Sequence, residues 1–186
     1  MAAKTTSTFA LIATAVFLIT VAPASQAEDS MPPDQVAFLA AANDARGMIE
    51  KAANDLAAGA ARRNRMKAMC SAVKGSKVEN WMGTIHSLST NGDGLGVLEI
   101  DLGEDVYVKT WNNALSDVSD KTMIDPSSGL FEKLVVMTEG QKVRFSAQLI
   151  KTPKGPDCFR ESSLTLSGSM EEPEFIARFT DISAAD

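Results

Sequence analysis

The apolar pattern of this chain changes period at Lys74-Gly75-Ser76-Lys77, and that change divides a helical stretch from a stranded one. After it, Trp81-Met82-Gly83-Thr84-Ile85-His86-Ser87-Leu88 reads as a strand. Asn91-Gly92-Asp93-Gly94 follows as a hairpin signal, because Asn-Gly and Asp-Gly accept the positive φ angles of tight turns. Leu98, Ile100 and Leu102 alternate with Glu99 and Asp101. Beyond the turn at Gly103-Glu104-Asp105, Val106 and Val108 alternate with Tyr107 and Lys109. These three strands make a meander. Residues 112–128 are polar and turn-rich. Leu130, Phe131, Leu134, Val135 and Met137 then recur at three- and four-residue steps, predicting a short helix that Glu139-Gly140-Gln141 stops. Val143, Phe145, Ala147 and Leu149 alternate with polar residues, the pattern of a strand with one wet face. A loop with Pro153, Gly155 and Pro156 precedes Cys158. Ser162–Ser167 reads as a further strand, and Phe175-Ile176-Ala177-Arg178-Phe179 as the closing one.

From Asp34 to about Val73 the chain is rich in Ala, Leu, Met, Lys, Arg and Glu, which favour helix. Val36, Leu39, Ile49, Ala53, Leu56 and Ala60 give a thin apolar stripe. Gly47 and Gly59 each weaken a helix by about 1 kcal/mol relative to Ala, so two or three helical pieces are expected. Met66, Met69, Cys70 and Val73 share one face and should order the stretch from Arg62 onward.

The first 27 residues carry a different signature. Lys4 precedes the apolar run Phe9–Ala22, Pro23 ends it, and Ser25-Gln26-Ala27 places small residues where a signal peptidase reads. The run is shorter than the roughly 20 apolar residues a membrane span needs. Cleavage after Ala27 is expected, giving a periplasmic or secreted protein with no transmembrane segment. The mature chain then comprises a helical extension over 28–77 and a β domain over 78–186. In an oxidising compartment Cys70 and Cys158, the only cysteines, are a disulfide candidate. Closing a loop of that length would contribute roughly 4 kcal/mol in the chain-entropy model.

The order of three strands, a helix and two further strands resembles the OB-fold. The likeness rests on Gly83 early in the first strand, where a barrel strand bends sharply, and on Leu134…Gly140…Val143-x-Phe145 leading into the fourth. It covers residues 78–182 and is similar to bacterial exported and tRNA-anticodon-type OB domains. It implies a mainly β, five-stranded Greek-key barrel with a short helix between strands three and four. No functional motif accompanies it, so it transfers no site residues.

Charge narrows the function classes. Residues 28–78 hold eight Lys/Arg against six Asp/Glu, and residues 79–186 hold nine against eighteen. Nucleic acid is disfavoured as a partner, since single strands require a positive groove as well as aromatic platforms. Tyr107, Lys109 and Trp111, on and just after the third strand, are the candidate ligand contacts for a protein or a cell-envelope component. Arg62, Arg63, Arg65 and Lys67 belong to a basic cluster with no acid from Leu56 to Val78. They read either as a helix end docking on the acidic body or as contacts for an anionic partner, such as a membrane surface. The helical extension is also a candidate for self-association. His86 is the only histidine, and no Gly-x-Ser-x-Gly elbow is present, which argues against a Ser-His-Asp triad. The acids of residues 91–105 miss the EF-hand spacing, and turn chemistry accounts for Asn-Gly and Asp-Gly. No cofactor or metal motif is read. A non-catalytic binding module of the envelope is the leading expectation, and an envelope hydrolase using paired carboxylates the alternative.

Overall fold

The computed structural model describes Met1 and residues 30–153, 157–163 and 165–185. The expected signal segment therefore lies, Met1 aside, outside the described residues, as do Gly155, Pro156 and Leu164.

Two 18-residue helices come first, α1 (Pro33–Glu50) and α2 (Asp55–Ala72). Pro33 opens α1, where a missing N–H costs nothing. The break falls at Lys51–Asn54 rather than at Gly47 or Gly59, because the Asn54 side chain caps α2 by accepting from the Ala57 N–H at 3.0 Å. The buried face of α1 is Gln35, Phe38, Leu39, Ala41, Ala42 and Ala45. The predicted stripe matches this face only in part: Leu39 is buried and Ile49 and Ala60 are half-buried, but Val36, Ala53 and Leu56 are exposed. Phe38 anchors the true face, with ring centroids 5.1 Å from Trp81 and 4.8 Å from Phe175. Gln35 binds the first strand as a neighbouring peptide would, its Nε2 donating to the Met82 carbonyl and its Oε1 accepting from the Met82 N–H. Met66 and Met69 on α2, and Val73 just past its end, are buried as their spacing predicts.

Five strands follow: β1 (Lys77–Thr90), β2 (Gly96–Asp101), β3 (Tyr107–Lys109), β4 (Lys142–Leu149) and β5 (Glu174–Ala184). They close into a barrel in the order β1-β2-β3-β5-β4, with β3 and β5 parallel and the other pairs antiparallel. The first strand serves two partners, β4 up to Thr84 and β2 from Thr84 onward. Gly83 sits where it passes from one to the other. A Cβ there would lie 2.4 Å from Ile100 Cγ2 and 2.7 Å from the Asp101 carbonyl oxygen, so only glycine fits. The alternation predicted for β2 and β4 holds, with Leu98, Ile100, Val143, Phe145, Ala147 and Leu149 all buried.

Helices α3 (Ala114–Asp117) and α4 (Gly129–Leu134) lie between β3 and β4. The former was not anticipated within the turn-rich stretch. Val135, predicted on an apolar helical face, lies just past α4 and is 69% exposed. The strand expected at Ser162–Ser167 is not formed among the described residues of that range. Just before it Glu161 makes an isolated bridge to Phe175, the Ser162 N–H donates to the Glu174 carbonyl, and the Thr165 hydroxyl caps helix α5 (Leu166–Glu171). The physical reason is closure, since β5 already pairs with β3 and β4 and offers a sixth strand no continuous edge.

Helices span more of the described residues than strands, so the chain is not mainly β. Residues Met31–Asp186 form one compact unit, and one core cluster joins Phe38, Met66 and Met69 to Trp81, Phe145 and Phe175. The boundary near Lys77 separates helices from strands, not one core from another. No helix among the described residues is long and apolar enough to cross a membrane.

Candidate functional site

Strand β3 turns Val108 into the core and Tyr107 and Lys109 outward, as strand alternation requires. The ladder then surrounds both with carboxylates. Tyr107 stands opposite Asp101 on β2 and Glu174 on β5, and Lys109 opposite Glu99. The Lys109 ammonium forms ion pairs with Glu99 at 3.1 Å and Glu174 at 3.2 Å. Partial burial pushes the Tyr107 phenol above its ordinary value, and the negative charges of Asp101, Asp105, Glu172 and Glu99 push it further. His86 is exposed, where the β1–β2 register shifts, and its ring packs edge-on against Tyr107 with centroids 5.0 Å apart.

The third candidate contact is held differently. Trp111 Nε1 donates to Asp120 Oδ2 at 2.8 Å, and the Trp111 N–H donates to Thr122 Oγ1 at 2.8 Å. The same Asp120 carboxylate takes an ion pair from Arg160 at 2.5 Å. Arg178 donates to the main-chain carbonyls of Asp120 and Lys121. Asp117 accepts from the Thr122 N–H, the Thr122 hydroxyl and the Met123 N–H. The indole is thus fastened by its polar edge to a nearly buried acid. Tyr107 and Lys109 form one cluster, and Trp111 belongs to a bolt that ties the β3–β4 connection to β5. Asp120, Arg160 and Arg178 were not singled out in the sequence. They come from three separate segments, and no local spacing links them.

The basic cluster of α2 divides in two. Arg62 grips Asp157 through both terminal guanidinium nitrogens, Nη1 and Nη2, at 3.1 and 2.6 Å. Arg65 is 2% exposed, forms an ion pair with Glu161, donates to the Ser169 carbonyl and lies 5.9 Å from the Phe175 ring centroid. Burial works against both charges of the inner pair, lowering the Arg65 value and raising that of Glu161, while their mutual attraction opposes each shift. Arg65 is therefore corrected from a candidate anion contact to an internal tie, and Arg62 is engaged at the same seam. Arg63 and Lys67 remain exposed. Cys70 and Cys158 extend this seam at disulfide distance, with Cα atoms 6.0 Å apart, and neither is a free cysteine.

Two grooves flank these features. One of about 370 Å³ lies between the end of α1, the β2–β3 turn and α5, lined by Arg46, Glu50, Asp105 and Glu172 among others. Another of about 370 Å³ lies between the end of β1 and α4 and is mostly apolar, with Leu88, Phe131, Leu134 and Met137 in its walls. Among the described residues no group of three or more His, Cys, Asp or Glu side chains is arranged to hold a metal ion. No protein-family model matches the chain, and no curated protein or solved structure matches it.

Proposed function

We propose that this protein is an exported, non-catalytic binding module of the bacterial cell envelope, built on an OB-like Greek-key barrel, that recognises a partner's cationic groups through its β2–β3 face. The circular strand order and the parallel β3–β5 pair support the OB-like reading. The cysteine pair at disulfide distance and the unequal charge of the chain support export and an ionic partner.

One observation carries the proposal. Half-buried Tyr107 lies in the negative field of Asp101, Asp105, Glu172 and Glu99, and Lys109, two residues along the same strand, is already engaged by two acids. An aromatic face within a negative field attracts ammonium and guanidinium groups. A phosphate-bearing ligand meets repulsion at the same place.

The hydrolase alternative asks for a raised carboxyl in a cleft beside a second acid. Burial raises the Glu161 carboxyl, but its side chain is 5% exposed and ion-paired to Arg65, which supports a structural role rather than a catalytic one. The membrane-tether alternative loses Arg62 and Arg65 to the seam.

The test is capture from an envelope extract with the mature protein, run beside a Tyr107→Ser/Asp101→Asn double variant. A partner retained by the first, lost by the second and eluted by moderate salt supports the reading. A partner held equally by both, or turnover of an envelope substrate by purified protein, overturns it.

A further inference from the structure

The β1 strand outruns its partner on one side. Its pairing with β4 ends at Thr84, and the last main-chain bonds on that side join Ile85 to Gly140 and Gln141, at 2.8 and 2.9 Å. On the other side β1 continues with β2 to Thr90. The hairpin fixes which groups face which way. The Asn91 N–H donates to the Leu95 carbonyl, while Gly96, opposite Thr90, exchanges both of its bonds with Ile124. Alternation then directs the main-chain groups of Leu88 and Thr90 away from β2 and over the rim of the barrel. The Leu88 N–H is met there by a side chain, donating to Glu139 Oε1 at 3.0 Å. A carboxylate thus stands where a neighbouring strand would place a carbonyl. By the same alternation the Leu88 carbonyl and both main-chain groups of Thr90 lie on this side, and Leu88 and Thr90 line the groove of about 370 Å³ beside α4. That groove is apolar, and next to it Val135 and Val136 are 69% and 81% exposed.

We infer that this rim takes an extended segment of another protein by strand addition along Leu88–Thr90, with alternate apolar side chains in the Phe131–Met137 groove and a basic residue beside Glu139. An open strand edge beside an apolar slot fits main-chain pairing plus every second side chain. Charge selects the occupant. Glu139 stands at one end of the edge, and Asp93 lies in the turn just past the other. A second copy pairing antiparallel about a two-fold axis would bring these acids together on a chain of net charge −6. A Lys- or Arg-bearing segment instead neutralises them. The site is separate from the Tyr107 face and does not depend on it.

The experiment titrates ¹⁵N-labelled protein with a small panel of blocked five-residue probe peptides. Their alternating positions carry Val, Leu or Phe, and their ends carry Lys. The inference expects saturable shifts of the Thr90 and Val135 amides with at least one of them. It expects at least tenfold weaker binding when Glu replaces Lys, and loss of binding when the edge-facing peptide nitrogens are methylated. Val135→Asp, an exposed position, should weaken binding about tenfold while leaving the thermal midpoint and the Tyr107 face unchanged. Three outcomes overturn the inference: no saturable shift at the rim with any Lys peptide, equal binding by Val135→Asp, or self-association at high concentration that Val135→Asp abolishes.

Discussion

Charge is gathered in two places, the seam between α2 and residues 157–171 and the face around Tyr107, and the two are built in opposite ways. In the seam each cation has an acid of its own: Arg62 with Asp157, Arg65 with Glu161. The inner pair is out of water. On the face, Lys109 is shared between Glu99 and Glu174, Asp101 is half-buried and Asp105 and Glu172 are exposed, so Tyr107 sits among more acids than cations. The first arrangement satisfies itself and has little to offer a ligand. The second leaves potential unspent, and that is what a binding surface needs. Counting charges along the chain ranks them the other way round, since the Arg-rich stretch is the more conspicuous run.

The sharpest way to break this comparison is to remove one half of the buried pair. Glu161→Ala leaves the Arg65 guanidinium uncompensated inside the protein and should cost about 3–5 kcal/mol, read by denaturant unfolding. The double variant Arg65→Met/Glu161→Leu should recover most of that loss, because apolar replacements carry no desolvation cost. If Glu161→Ala alone is neutral, the seam is not held by its ion pair.

Next comes the covalent part of the seam. Cys70→Ser/Cys158→Ser should lower stability by about 2–4 kcal/mol. Hydrogen exchange should rise first in residues 157–171, while β1, β2 and β4 keep their protection. Uniform loosening of barrel and seam would mean that the pair holds the whole fold rather than one border.

The smallest effect concerns the face itself. The chain has one tyrosine, so ultraviolet titration reports Tyr107 alone. Its midpoint should lie above the ordinary value of about 10 and move down in Asp101→Asn. A folded value above the unfolded one means that the native state holds the proton longer. The associated stability is intact below about pH 10 and is lost as pH rises from there to the folded value. A midpoint at or below the ordinary value would remove the negative field from the comparison.

Much of the barrel was legible because strands reveal themselves locally. Leu98-x-Ile100-x-Leu102 and Val143-x-Phe145-x-Ala147-x-Leu149 each need one buried face, and period two states which residues supply it. The same logic picked out Tyr107 and Lys109, since outward positions on a strand follow from its inward ones. It failed at Ser162–Ser167, where an alternating pattern met a closed ladder and led instead from a bridge at Glu161 into a helix. It failed again on α1, where an Ala-rich helix has weak periodicity and Phe38, by reaching Trp81 and Phe175, chooses the face.

The sequence by itself determined where strands alternate with turns, that Gly83 marks a bend, and that Cys70 and Cys158 are the available pair. These follow from residues adjacent in the chain or from simple counting. Only the tertiary structure decided that Arg65 is an internal tie, that Trp111 is bolted to Asp120, and that β1 ends in an open rim. Each of these depends on groups far apart in sequence, such as Arg65 with Glu161 or Leu88 with Glu139. A side chain's chemistry is written in its type, but whether it meets water or a partner is set by what the fold brings beside it.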